Sequence, residues 1–333
     1  MNGRVQLETV GSQVLKGNPL GDPHVRELPV YLPPGYGSAR GRRYPVVYYL
    51  VGFTGTARGA LNVHAWRENV VQRLDRLIGE GEAPECLLVI PDCFTRYGGS
   101  QYLNSPATGR YEDHVVEELV GFVDDKFAAR AEPAGRALLG GSSGGFGALT
   151  LGLRHPGVFG HVFCHSGDMH FEMCYGPDIP KCVSALGRYG GRFSGFLREL
   201  ERSKRRDQLP HELVNMAAMA ACYSPNPRSA LGFDLPFDER TGDRVPAVWR
   251  RWLAHDPALL APRRAAALRR LRTLFFDCGR RDEFFLHLGA RRLHDALRAA
   301  RVPHRYLEHD AGHFELSERH EVSFRLLRRA FGR

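Results

Sequence analysis

No apolar run in the 333-residue chain approaches the length of a membrane-spanning helix; the longest candidate, Val46 to Phe53, is the size of a strand. Residues 1–25 lack a positively charged start followed by an apolar stretch, so no signal peptide is expected there. Cysteine is sparse: seven residues, at 86, 93, 164, 174, 182, 222 and 278, are scattered and odd in number. That pattern argues against a disulfide framework and for free thiols, which makes the cytoplasm the expected location. Neither an internal repeat nor a low-complexity linker is present. Charge is one-sided, at +9, and comes mainly from arginine, with clusters at Arg263-Arg264, Arg269-Arg270-Leu271-Arg272 and Arg291-Arg292. These lie in alanine-rich, helix-like stretches without the interleaved aromatic residues of a stacking platform. They read as solvated helix faces, and no nucleic-acid partner is expected.

What remains is an ordinary globular composition, 43% hydrophobic and 25% charged. The length allows one large α/β domain or two small ones. Apolar, β-rich runs alternate with amphipathic helices, which predicts an α/β fold with a mostly parallel central sheet and helices on both faces. The expected strands are 25–32, 46–51, 86–90, 137–139, 158–164, 273–277 and 304–308. The turn residues Pro33-Pro34-Gly35-Tyr36-Gly37 predict the closure of an early hairpin. A helix is expected from about Asp113 to Phe127, with Val116, Val120, Val123 and Phe127 on one face. The alternation breaks at 171–260, which is helical in places, rich in glycine and proline, and without a clear strand. Connections this long usually form a subdomain or serve a function. The expectation is a single domain, 1–333, with 171–260 inserted in it as a cap.

One segment carries most of the chemistry. The apolar strand before Gly140 runs into Gly140-Gly141-Ser142-Ser143-Gly144-Gly145-Phe146-Gly147-Ala148, and a small-residue helix follows at once. This is the arrangement of a nucleophile elbow, where a strained strand-to-helix turn lifts a serine hydroxyl above the sheet edge. Gly-x-Ser-x-Gly fits with either Ser142 or Ser143 at its centre, so the pattern does not choose between them. A serine needs a base, and the base needs an orienting acid. In a fold with this elbow the partners follow in the order serine, acid, histidine. Asp282 stands in the turn beyond the strand ending at Asp277, with Glu283 as the substitute acid. His313 stands behind Gly312 on a loop ahead of the last helix, with His309 as its competitor. Asp277 itself reads as a buried structural group. Cys93 lacks an elbow and is discounted as a nucleophile.

These blocks together resemble the putative-esterase family of α/β-hydrolases, which includes enterochelin esterases, S-formylglutathione hydrolases and mycolyltransferases. The family's Gly-x-Ser-x-Gly-Gly-aromatic-Gly-Ala pattern fits without a gap only when Ser142 is central. Its Asp-Cys-Gly-x-x-Asp-Glu-Phe and Gly-His blocks match Asp277 to Phe284 and Gly312-His313. Pro91-Asp92-Cys93-Phe94-Thr95, Tyr111-Glu112-Asp113, Ser166-Gly167-Asp168, Leu235-Pro236-Phe237-Asp238 and His255-Asp256-Pro257 also look like recurring blocks of enterochelin-esterase-like members. The likeness covers about residues 25–320. It implies an α/β-hydrolase fold and a serine carboxylesterase using Ser142, Asp282 and His313, with the backbone N–H groups of Phe53 and Ser143 binding the oxyanion. Many relatives carry His-Gly where this chain has Val51-Gly52.

Thr54, Asp168, His170 and Phe284 are the expected walls of the substrate pocket. The close spacing of His165, Asp168, His170, Glu172 and Cys174 also invites a metal reading. Metal pairs usually show His-x-His or His-x-x-x-His with a distant third ligand; His170 and Glu172 could fit, but the stretch leaves a strand for the cap, so a pocket wall is favoured and no metal or cofactor is expected. The expected partner is a small-molecule ester, with a homodimer left open. Arg280 or Arg281 beside the acid would suit an anionic catechol lactone, or else face solvent; small acyl esters fit equally well. Acyl transfer from the same acyl-enzyme and a catalytically inactive binding module stand as alternatives.

Overall fold

Residues 1–332 are described by the structure, a computed structural model; Arg333, the last residue of the expected domain, lies outside the described residues. The main sheet has eight strands: β1 Arg4–Gly11, β2 Val25–Leu32, β3 Val46–Leu50, β4 Leu87–Val89, β5 Arg136–Gly141, β6 His161–His165, β7 Thr273–Gly279 and β8 Arg305–His309. They run in the order β1-β2-β4-β3-β5-β6-β7-β8. β1 and β2 pair antiparallel, as do β2 and β4, and every later neighbour is parallel. The architecture is the mostly parallel α/β sheet with helices on both sides that the alternation predicts.

Side-chain alternation along the central strands explains why both faces are covered. Tyr48, Leu50, Leu138, Val162, Cys164 and Phe276 point to one apolar core, and Val47, Leu139, Phe163 and Phe275 to the other. The second core is closed by α1 (Val70–Gly79) and by the C-terminal helix Leu316–Phe331, through Leu74, Leu77, Phe324 and Leu327. The start of α1 is set by a capping box, in which the Asn69 side chain accepts from Val71 and Gln72 and Gln72 accepts from the Asn69 N–H. Helix α2, residues 111–126, carries the expected valine face and includes a π turn at His114–Leu119. Helix α3 (Ser143–Arg154) is buried along most of its length against the sheet.

Two expectations need correction. Pro33 to Gly37 closes no hairpin: β2 lies between β1 and β4, and the chain turns at Pro33 and Gly35 to cross to β3, beyond β4. β1, which is not among the expected strands, is a half-exposed edge strand whose solvent-facing side leaves it without a long apolar run.

Between β6 and β7 the chain forms α4 (Asp178–Leu186), α5 (Phe193–Arg202), α6 (His211–Tyr223), α7 (Pro246–Leu253) and α8 (Pro257–Arg263), with only isolated bridges in place of strands. Phe193, Phe196, Met216, Tyr223 and Trp252 are buried and join the first core, so these helices are packed onto the sheet layer. After β7 come α9 (Leu286–Ala299), β8 and then α10 (Leu316–Phe331). Among the described residues no helix is long and apolar enough to cross a membrane. The arginines at 263, 264, 269, 270, 291 and 292 are exposed.

Candidate active site

The site is assembled at the carboxyl ends of β3, β5 and β7, where loops diverge and a crevice forms in open α/β sheets. At the end of β5, Ser142 has φ 56° and ψ −129°, a conformation that a non-glycine residue adopts only when its surroundings impose it. Those surroundings are two close backbone approaches. A Cβ on Gly144 would overlap the carbonyl of Leu50, and one on Gly140 would overlap the carbonyl of Gly144. By contrast, a Cβ on Gly141 would find its nearest neighbour, a Leu316 methyl, at 3.5 Å. The steric demand behind Gly-x-Ser-x-Gly is therefore strongest for the register centred on Ser142. The turn is tied down by the Ser142 N–H, which donates to the His165 carbonyl at 2.9 Å.

The structure brings Ser142, His313 and Asp282 together. Ser142 Oγ lies 3.0 Å from His313 Nε2, and His313 Nδ1 lies 2.8 Å from Asp282 Oδ2. With Nδ1–H donating to the carboxylate, Nε2 is left as the acceptor for the hydroxyl proton. Asp282 is 2% exposed, and its other oxygen accepts the N–H groups of Phe284 at 3.0 Å and Leu286 at 3.3 Å, which fixes the carboxylate plane. The Phe284 ring meets the imidazole edge-on, 4.7 Å between centroids. Glu283, the substitute acid, makes a different contact: its Oε2 accepts the backbone N–H of His313. His309 ends β8 with Nε2 buried and, among the described residues, without a partner, and of the two histidines His313 is the one that reaches Ser142. Cys93 is buried, and burial pushes its thiol well above the ordinary range.

Phe53 and Ser143 line the same cavity as Ser142. Among the described residues the Phe53 N–H is paired with no acceptor, whereas the next two N–H groups are used, Thr54 to Gly98 at 2.8 Å and Gly55 to Gly52 at 3.0 Å. Thr54 sits at φ 63°, which is strained for a β-branched residue and marks this loop as held in place by its contacts. Ser143 is the first residue of α3, so its N–H has no carbonyl one turn earlier to bond. Its hydroxyl donates to Asp168 Oδ2 at 3.2 Å.

A cavity of about 290 Å³ opens beside Ser142 and His313 and is lined by Phe53, Thr54, Asp168, His211, Phe284 and Phe314 among others. Of the expected pocket residues, Thr54, Asp168 and Phe284 are there and His170 is not. Asp256 accepts the N–H groups of both His170 and Phe171 at 2.9 Å, and this anchoring sends the His170 ring outward to Arg292. Asp168 Oδ2 accepts from Gln101 Nε2 at 3.0 Å and Tyr175 Oη at 2.9 Å as well as from Ser143. Burial pushes its carboxyl above the ordinary range, and the hydrogen bonds from Gln101 and Tyr175 draw it back in part. Cys174, Tyr175, Asp178, His211 and Asn215 also line the cavity. They come from α4, α6 and the turn before them, where no local pattern distinguishes a cavity-facing residue from any other buried one; Phe314 had its adjacency to His313 as a signal.

The five residues weighed as metal ligands do not converge. His165 bonds Asp277 and Ser323, Glu172 bonds Arg244 and Trp249, and Asp168 is engaged as above. Among the described residues no group of three or more such side chains could hold an ion.

The strand order and the serine-bearing elbow define an α/β-hydrolase. The chain belongs to the family described as "Putative esterase", whose model matches residues 23–327. It is similar to an endo-1,4-beta-xylanase/feruloyl esterase of Xylanibacter ruminicola, 27% identical over 150 residues, which are 41% of this chain and 19% of that protein. The first three curated relatives are matched over 19% to 58% of their own length. Among solved structures, a ferulic acid esterase superimposes with a TM-score of 0.65 at 23% identity, over 99% of both chains. An S-formylglutathione hydrolase from Agrobacterium tumefaciens gives 0.59 at 18%, over 99% of this chain and 96% of that one. At these identities the two structures establish the fold.

Proposed function

We propose that the protein is a carboxylesterase that works through an acyl-enzyme on Ser142. The observation that carries the reading is the continuous chain from Ser142 Oγ through His313 to Asp282, opening directly into the cavity. Ser142 Oγ attacks the ester carbonyl as His313 Nε2 takes its proton; Asp282 holds the tautomer and stabilises the imidazolium. The N–H groups of Phe53 and Ser143 receive the oxyanion, whose stabilisation is commonly the largest electrostatic contribution in such sites. The imidazolium then protonates the leaving alcohol, and the same histidine activates water to release the acid. Residues 171–260 act as a cap, since α4 and α6 supply one wall of the cavity.

The favoured substrate is an uncharged ester of a small aromatic acid. The cavity lies at the small end of the range for ligand sites. Phe53, His211, Phe284 and Phe314 supply aromatic surface, and Asp168 and Asp178 supply carboxylates, whereas no lysine or arginine is among the described lining residues. An anionic catechol lactone would meet these carboxylates with no cation to offset them; Arg281 instead pairs with Asp310 on the surface. Likeness to a feruloyl esterase and a ferulic acid esterase points the same way.

The test is kcat/KM across methyl esters of aromatic acids, p-nitrophenyl esters of increasing chain length and a siderophore trilactone. The aromatic esters are expected to lead the trilactone by at least about tenfold, one interaction of roughly 1.4 kcal/mol. A reversed order would overturn the substrate assignment. Added alcohols competing with water for the acyl group would redirect the reading to acyl transfer.

A further inference from the structure

Behind the proposed active site lies a second chain of serine, histidine and aspartate with no path to a substrate. His165 Nδ1 is 2.6 Å from Asp277 Oδ1, and His165 Nε2 is 2.8 Å from Ser323 Oγ. All three residues are buried, with His165 and Ser323 at 0% exposure. Arg319 completes the cluster from its partly exposed position, donating to Asp277 Oδ2 through Nε at 3.0 Å and Nη2 at 2.8 Å. Burial alone would raise the Asp277 carboxyl, but His165 and Arg319 hold it below the ordinary carboxylate range.

The members of this cluster sit on the strand beside the elbow and on the strand and helix next to the Asp282 and His313 turns. His165 ends β6, and its carbonyl accepts the Ser142 N–H at 2.9 Å. Asp277 lies in β7, five residues before Asp282, and its carbonyl accepts the Ser166 N–H at 2.8 Å. Arg319 and Ser323 lie one turn apart on α10, which begins directly after the turn bearing His313. The imidazole of His165 therefore bridges the strand that holds the elbow to the helix that follows the catalytic histidine. A fully paired buried network permits one arrangement of its parts, because any slip would leave a buried charge or donor unsatisfied.

We propose that His165, Asp277, Arg319 and Ser323 are positioning residues that set the separation of Ser142 Oγ and His313 Nε2. The proposal rests on the reading of Ser142 and His313 as nucleophile and base. Misplacement of a reacting group by about 1 Å can cost about a hundredfold in rate, so loosening this cluster should act on kcat.

Two variants test it in the protein of residues 1–333, with hydrolysis of a p-nitrophenyl ester by the parent protein, abolished by Ser142→Ala, as the control. Ser323→Ala removes one hydrogen bond and leaves no buried charge unpaired. Arg319→Ala opens a guanidinium-sized space at the solvent side of Asp277. Both are expected to lower kcat at least fivefold with KM within twofold, and millimolar guanidinium should restore kcat in Arg319→Ala but not in Ser323→Ala. Unchanged kcat in folded variants would overturn the positioning role, as would a loss in Arg319→Ala that guanidinium leaves untouched while melting temperature tracks the loss. A parent enzyme inactive on every ester, or one indifferent to Ser142→Ala, would instead overturn the underlying reading of the site and the proposal with it.

Discussion

Glu283 Oε2 accepts the main-chain N–H of His313 at 2.6 Å, so one carboxylate of the turn after β7 holds the backbone of the residue whose ring the neighbouring carboxylate orients. Asp282 and Glu283 divide the work between ring and backbone. Glu283 also fills the space where Gly312 would carry a Cβ, which its Oε1 would approach to 2.6 Å. Glu283→Gln keeps an acceptor and should retain most activity, whereas Glu283→Ala should lower kcat about tenfold with little change in KM, corresponding to one hydrogen bond of about 1.4 kcal/mol. Steady-state kinetics on the two variants check this.

Asp282→Asn should be far more damaging than any change at Glu283. Asparagine can present an N–H to Nδ1 and favour the wrong imidazole tautomer, an effect of about 10⁴ in kcat in a serine-protease triad. The protein should stay folded, because the Asn carbonyl can still accept from Phe284 and Leu286. A loss of less than tenfold, with melting unchanged, would remove Asp282 from the proposed triad.

Gly144 and Gly141 make contrasting stability predictions. Gly144→Ala places a methyl group into the Leu50 carbonyl and should destabilise by about 3 kcal/mol or more, while Gly141→Ala meets only ordinary contact and should cost less than about 1 kcal/mol. Denaturant unfolding of the pair reads the difference directly.

Acid should weaken the fold through two histidines kept neutral by burial. His161 and His255 are both pushed down to about 4. Between about pH 6.5 and pH 4 the unfolded chain binds protons at these sites that the folded chain refuses, so stability falls as pH drops through that window and the effect levels off below it. Each site contributes on the order of 2 kcal/mol. His255→Phe, which keeps an aromatic ring against Tyr223, should flatten the decline measured by denaturant midpoints from pH 7 to 4.5.

The fold and the residues of the candidate site were legible because each rests on a local demand. The continuous apolar run Val46 to Leu50 reflects burial on both faces of the sheet, the valines of α2 reflect burial on one face of a helix, and the glycines around Ser142 reflect backbone crowding at a single turn. What escaped depends on distant partners. β1 is an edge strand with a wet face, the turn at Pro33 to Gly37 says nothing of which strand lies beside β2, and the placement of His170 is decided by Asp256, far along the chain. The lining supplied by α4 and α6, and the role of Glu283, likewise follow only once those elements are docked.

The proposed chemistry stands or falls on which oxygen is nucleophilic. Reaction with a fluorophosphonate, followed by peptide mapping, should place a single adduct on Ser142, abolished in Ser142→Ala and His313→Ala and retained in Ser143→Ala together with a substantial share of esterase activity. An adduct on Ser143, or an active protein that takes no label at either serine, would contradict it.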